Sequence, residues 1–177
     1  MTPSKPHYYS QFKTALGTFS VAVDAKGALA ATAFGDRGAL ARRLGSPSLV
    51  EGSARTAEAR RQIQAWLKGT RRDFTLRLSP NGSPFQKRVW SAIRRIPYGQ
   101  TRSYGAIARA MGSSARAVGR ANATNPICVV IPCHRVIGAD GKPTGYAFGV
   151  ATKNNLLRLE RTGVSVPWPR ARRTQRP

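Results

Sequence analysis

The chain of 177 residues carries two cysteines, Cys128 and Cys133, and two histidines, His7 and His134. Cys133 and His134 are adjacent, inside Ile131-Pro132-Cys133-His134-Arg135-Val136. A cysteine attacks as thiolate, its ordinary pKa is about 8.5, and a neighbouring base or cation raises the thiolate fraction at neutral pH. Cys133 is therefore a candidate nucleophile, with His134 as the base beside it. On an extended segment adjacent side chains point to opposite faces, so His134 would reach the thiol through a water rather than by contact. The competing reading is a cysteine that serves only as a small buried hydrophobe. A zinc site of cysteine and histidine would need the remote His7, a spacing unlike paired zinc ligands, so no metal is assigned. Two cysteines are also too few for a disulfide framework.

Chemistry on a thiol says nothing about the substrate; the charge does. Thirty Lys and Arg face seven Asp and Glu, a formal net charge of +23, on a chain that is 41% apolar and can bury a core. Such an excess fits a polyanion: nucleic acid, an acidic membrane surface or the RNA of a large assembly. No window approaches 18 consecutive apolar residues, and Met1–Ser20 has no uninterrupted apolar stretch. Neither a spanning helix nor a secretory signal is expected, which points to the cytoplasm or the nucleoid and to no membrane partner.

The elements that must position Cys133 can be read outward from it. Short strands are predicted over Tyr8–Thr14, Thr18–Val23 and Ala28–Phe34, with turns at Gly17 and at Asp24-Ala25-Lys26-Gly27. Ile63, Trp66 and Leu67 at helical spacing predict an amphipathic helix over Ala54–Lys68, ended by Gly69. Phe74, Leu76 and Leu78 alternate with polar residues as in a strand until Ser79-Pro80-Asn81-Gly82 breaks the pattern, and a domain boundary is expected near residue 80. Ser83-Pro84-Phe85-Gln86 then combines a capping serine, proline at the first helical position and glutamine three residues after the cap. The helix it starts carries Phe85, Val89, Trp90 and Ile93 on one stripe and stops at Ile96-Pro97-Tyr98-Gly99. Ser103 caps a helix with Tyr104, Ile107, Ala108 and Met111, Gly112 breaks it, and Ser113 or Ser114 caps another that runs to Thr124. Helix, glycine turn, helix is a helix-turn-helix pattern.

The second of these helices is made of small residues, Ala115, Ala117, Val118, Gly119, Ala121 and Ala123, with Arg116 and Arg120 four apart on one face. Alanine favours helix and two arginines can be a plain solvated face, but an interior glycine costs roughly 1 kcal/mol relative to alanine and needs a reason. With the net charge behind it, this is read as a DNA-facing helix. The stretch 167–177 holds four arginines and three prolines and is expected to be a disordered basic tail. The domains expected are thus 1–79, 80–166 and the tail.

From Ser83 to residue 163 the sequence resembles the 6-O-alkylguanine-DNA alkyltransferases, also called methylated-DNA-protein-cysteine methyltransferases. The resemblance rests on Ser83-Pro84-Phe85-Gln86, Ile96-Pro97-Tyr98-Gly99, Ser103-Tyr104-Gly105, Arg116-Ala117-Val118-Gly119, Asn125-Pro126, Ile131-Pro132-Cys133-His134-Arg135-Val136 and Gly145-Tyr146, colinear and without a gap. It implies an α+β fold: a small antiparallel sheet domain with a helix, then a mostly helical domain with the helix-turn-helix and the active-site cysteine. It makes Cys133 the alkyl acceptor, His134 the water-linked base, Glu160 the carboxylate that orients it, and Asn125 the brace of the turn before the active-site strand. Tyr104, Val136, Tyr146 and Ala147 would line the substrate pocket, Ala147 through its backbone N–H. Arg116 would fill the gap left by an extruded nucleotide, with Thr101, Ser103, Ala117, Gly119, Arg120 and Ala121 against the minor groove, whose width of about 6 Å suits small side chains.

The function so implied is repair by irreversible transfer of an alkyl group from 6-O-alkylguanine, and from 4-O-alkylthymine, to the protein's own cysteine, with no cofactor. The partner is double-stranded DNA, met by a monomer able to cluster on it. Two alternatives share part of the pattern: a noncatalytic lesion-binding relative, which Cys133 argues against, and a helix-turn-helix transcription factor, which leaves the Cys133 motif unexplained. Cys128 stands where relatives often have proline or alanine and Thr144 near a frequent glycine, so both are expected to narrow the pocket against bulky alkyl groups.

Overall fold

The computed structural model describes residues 6–45 and 48–164, and the basic tail expected over 167–177 lies outside the described residues. Three strands, β1 (His7–Thr14), β2 (Gly17–Val23) and β3 (Leu29–Phe34), form consecutive antiparallel pairs. Both hairpins close as their turn residues require: Gly17 has φ +95 in the first, and in the second the Asp24 carboxylate accepts the N–H groups of Lys26 and Ala28.

Two further elements follow that the apolar pattern did not announce. Helix α1 (Arg37–Leu44) is capped by the Asp36 carboxylate on Ala39 N–H and ended by Gly45 in the left-handed region. Strand β4 (Leu49–Glu51) then pairs parallel to β1, so the sheet runs β3-β2-β1-β4 and is mixed at one edge, where an antiparallel sheet alone was expected. The reason α1 is hard to see is that it packs Leu40 on a sheet face of small residues, Ala22, Ala31 and Ala33, and so needs no broad apolar stripe of its own.

The opposite face carries Phe19, Val21 and Val23 and receives Ile63, Trp66 and Leu67 of α2 (Ala57–Leu67). Phe74, Leu76 and Leu78 pack against this cluster, but their segment is not a strand. It makes a single bridge, in which Leu29 N–H donates to Arg77 and Leu29 C=O accepts from Ser79.

Past residue 80, α3 (Pro84–Arg94) begins with the reciprocal capping box of Ser83 and Gln86. β5 (Arg102–Ser103) leads into α4 (Tyr104–Ala110), and α5 (Ala115–Ala123) follows, each helix capped by a serine hydroxyl, Ser103 and Ser114. A 3-10 turn spans Cys133–Arg135, β6 (Val136–Ile137) pairs with β5, and α6 (Val150–Thr162) closes the fold. Two helix ends meet back to back: Gly69, just after α2, lies so close to Gly163, the C-cap of α6, that a Cβ on Gly69 would collide with the Gly163 carbonyl oxygen. One buried apolar cluster runs from Leu16 of the sheet half to Leu159 of α6, and Thr32 of β3 bonds directly to the Pro126–Cys128 stretch. Among the described residues no helix is long and apolar enough to cross a membrane.

Candidate active site

The segment that delivers Cys133 is a knot of short-range bonds. Asn125 sits at its start; its Nδ2 donates to Ile131 C=O at 2.9 Å and its Oδ1 accepts Ile127 N–H at 3.0 Å, while Ile131 N–H donates to Ile127 C=O at 2.9 Å. Inside this clamp Val129 has φ +73, a left-handed backbone that a β-branched residue adopts only when its surroundings impose it. The chain then turns through Cys133–Arg135 as a 3-10 turn, not as the extended strand expected, because Arg135 N–H folds back on Pro132 C=O.

That turn sends Cys133 and His134 to different places. Cys133 lines a cavity of about 240 Å³, and His134 is buried behind it beside the ring of Trp66, with no exposed surface. His134 Nε2 lies 2.6 Å from Glu160 Oε1. Glu160 also accepts Arg135 Nε at 2.9 Å and Gly99 N–H at 2.8 Å. Burial alone would raise the Glu160 pKa, but the hydrogen bonds and charges of His134 and Arg135 outweigh it and hold the carboxyl below its ordinary value. A carboxylate only accepts, so Nε2 carries the imidazole proton. Nδ1 is then the lone-pair nitrogen, and it is buried with no protein partner. Burial also lowers the His134 pKa against the opposing pull of Glu160, which keeps the ring neutral.

The two thiols differ in surroundings. Burial pushes the Cys128 thiol up to about 12, with Cys133 adding to the rise. Its sulfur accepts a weak bond from Thr32 Oγ1 at 3.2 Å and donates another to Thr32 C=O at 3.7 Å. Burial raises Cys133 too, but the facing side chains of Asn125 and Tyr146 and the charges of Arg43 and Lys153 counter it. The Tyr146 hydroxyl is buried without a well-aligned hydrogen bond, near enough to the sulfur to bias its titration. Among the described residues no group of three His, Cys, Asp or Glu side chains could hold a metal ion.

The structure brings Tyr104, Tyr146, Ala147 and Asn125 together around the Cys133 cavity, with Gly119 of α5 at its wall. A Cβ at Gly119 would meet the Tyr104 ring at 3.8 Å, ordinary contact, so packing tolerates alanine there and the cavity is what glycine leaves open. Val136 is fully buried in β6, away from the cavity wall. Arg116 and Arg120 project from α5 into solvent beside a separate groove that Ala117 and Ala121 floor, whereas Thr101 is exposed before β5 and Ser103 is used as a cap. Thr144 does not line the cavity; its carbonyl instead accepts Lys153 Nζ at 2.7 Å.

Three contributors went unread in the sequence. Lys153, fully buried on α6, ties Thr144 and Gly145 carbonyls and has its pKa lowered to about 8, chiefly by burial. Asn122 donates to Tyr104 Oη at 3.3 Å and to Cys133 C=O at 3.4 Å. Arg43 of α1 donates to Ala123 C=O at 3.1 Å, stacks 4.6 Å over the Phe148 ring and lines the cavity from the sheet side. A signal for Lys153 exists, since residues 153, 156 and 160 share the buried face of α6 and two of them are charged. Arg43 has none.

The sequence and the fold are both similar to those of known proteins. The family described as 6-O-methylguanine DNA methyltransferase, DNA binding domain, matches residues 84–162. A methylated-DNA–protein-cysteine methyltransferase of Methanosarcina acetivorans is 43% identical over 156 residues, 86% of this chain and 97% of the relative. The chain belongs to the methylated-DNA–protein-cysteine methyltransferase family. A second family member, from Mycolicibacterium paratuberculosis, is 54% identical over 107 residues, 59% of this chain and 65% of its own. Among solved structures, Mycobacterium tuberculosis OGT in complex with DNA superposes with a TM-score of 0.79 at 36% identity, covering 89% of this chain and 95% of that one. The O6-methylguanine-DNA methyltransferase of Pyrococcus kodakaraensis gives a TM-score of 0.64 at 26% identity, covering 87% and 98%.

Proposed function

We propose that the protein repairs DNA by moving the alkyl group of 6-O-alkylguanine, and of 4-O-alkylthymine, onto Cys133. The observation that carries this reading is a thiol in a cavity wall backed by a buried imidazole whose Nε2 is fixed on Glu160 and whose Nδ1 is uncommitted.

In the reaction His134 Nδ1 takes the Cys133 proton through one water, and Glu160, held by Arg135 and Gly99, stabilises the imidazolium that forms. The thiolate attacks the alkyl carbon in line; a carbon–sulfur bond forms, the carbon–O6 bond breaks with its electron pair going to the purine, and the purine takes up one proton from water while the His134 imidazolium gives back the one it took from Cys133. The products are guanine and a thioether on Cys133. A thioether does not revert easily, so each molecule acts once. Asn125 and Tyr146 face the sulfur, Tyr104 and the Ala147 N–H meet the purine, and Lys153 holds the loop that presents them.

A base stacked in duplex DNA cannot reach a cavity of this kind, so the nucleotide is extruded at a cost of a few kcal/mol, with Arg116 of α5 entering the gap. Small residues on α5 permit approach to the minor groove, and the net charge of +23 supports a cytoplasmic, nucleoid-bound protein. Incubation with duplex carrying 6-O-methylguanine should add the mass of one CH₂ to the intact protein, mapped to Cys133. Transfer that survives Cys133→Ser would overturn the assignment.

A further inference from the structure

The turn that presents Cys133 has a second side. Cys128 and Cys133 face the substrate cavity, whereas Val129, Val130 and Pro132 help wall a groove of about 340 Å³. Arg72 and Phe74, between α2 and α3, form one bank, and Arg94, Arg95 and Tyr98, at the end of α3, the other. No lining residue is shared with the Cys133 cavity or with the groove along α5.

Its charges are unbalanced. Arg135, deep in the groove, is neutralised by Glu160 at 2.9 Å. Arg72, Arg94 and Arg95 are exposed, and among the described residues none of them has a carboxylate within ion-pair distance. Arg72 lies 5.6 Å over the Tyr98 ring, and Arg95 reaches only the Ser91 hydroxyl at 3.4 Å. Among the described residues that line the groove, Asp73 is the acid at the rim. Three like charges gathered in one concavity repel one another until an anion with several charges joins them. Guanidinium forks match phosphate oxygens bidentately. The groove along α5 is lined by only two cations, Arg116 and Arg120, on a chain whose net charge is +23.

We propose that this groove grips the sugar–phosphate backbone of a second DNA segment while α5 engages the first. This rests on the proposed reading of α5 as the face that meets the first segment and goes beyond the alkyl transfer, since the second segment needs no lesion. A protein that bridges two segments passes from one to the other without dissociating fully, which shortens the search for a rare damaged base.

The test uses the full chain and two short undamaged duplexes bearing a donor and an acceptor dye, with Arg72→Ala/Arg94→Ala/Arg95→Ala and the corresponding triple Lys variant alongside. The native protein and the Lys variant should bring the dyes together, and the Ala variant should lose most of that signal. The salt slope for the second duplex should shrink in the Ala variant by up to roughly 2.7, at about 0.9 for each phosphate that is no longer neutralised. Methyl transfer from one short damaged duplex should be unchanged in all three. A native protein that saturates with a single duplex, an Ala variant that bridges as well as the native one, or a groove that takes polyglutamate in preference to DNA would each overturn the proposal.

Discussion

His134 Nε2 and Glu160 Oε1 stand 2.6 Å apart in a fully buried pair, and the same carboxylate holds Arg135 and the Gly99 N–H. One anion therefore sets the tautomer of the base, the conformation of the Cys133 turn and the loop that follows α3. Glu160→Gln replaces that anion by an amide whose NH₂ must face a donor. It should slow single-turnover transfer by about 10² to 10⁴. The guanidinium of Arg135, left buried without its partner, should cost about 3 to 5 kcal/mol in chemical denaturation. A variant with native rate would remove Glu160 from the mechanism.

Acid should act in two stages. The unfolded chain protonates histidine at about 6.5, whereas the folded chain keeps His134 neutral to lower pH, so stability is lost as pH falls below 6.5 toward the folded value. Glu160 has a lowered folded pKa, so its contribution is present above its unfolded value near 4.5 and is lost as pH falls further. The transfer rate should stay level through pH 6.5 and decline only below it. A midpoint at 6.5 would mean a solvated histidine.

Arg43 and Arg116 should separate by substrate. Arg43 braces the cavity itself, through Ala123, Asn125 and Phe148, so Arg43→Ala should slow transfer from duplex and from the free modified base alike. Arg116 is exposed on α5, and Arg116→Ala should reduce the rate on duplex far more than on the free base. Rates for both variants on both substrates decide this.

Of Cys128 and Thr144, the two positions expected to narrow the cavity, Cys128 alone lines it. Thr144 points its carbonyl at Lys153 and adds no side-chain atom to the wall, so Thr144→Gly should leave the ratio of benzyl to methyl transfer as it is. Cys128→Pro should raise that ratio by giving the ring a flat apolar wall. Opposite outcomes would return the selectivity to the loop.

Gly69→Ala should destabilise the fold by about 2 kcal/mol or more, from a left-handed backbone and a clash with Gly163. Thermal melting checks it, and the transfer rate per folded molecule should be unaffected.

What could be read in the sequence follows from the range of the forces involved. The three hairpin strands, α2 and the capped helices α3, α4 and α5 are written in local patterns: turn residues, a serine before each of the capped helices, apolar residues at the right period. The proposed acceptor thiol and the histidine proposed as its base stand side by side in one motif, Ile131-Pro132-Cys133-His134-Arg135-Val136. The 3-10 turn at Cys133 is not local in this sense: it follows a segment clamped by Asn125 around Val129 at φ +73, which local propensity disfavours, and it closes by Arg135 N–H on Pro132 C=O. Helix α1 hid behind alanines, and Arg43 reaches the cavity only through tertiary packing, which no window of sequence contains.

The unbroken core between sheet and helices bears on how such a protein can change over generations. Thr32 buttresses Cys128, and Arg43 closes one wall of the Cys133 cavity, so the sheet half supplies surfaces to the reaction it does not host. Exchanging that half for an unrelated scaffold would take Arg43 out of the cavity wall and the Thr32 bonds away from Cys128, so in this protein the two halves cannot be traded independently as binding modules can.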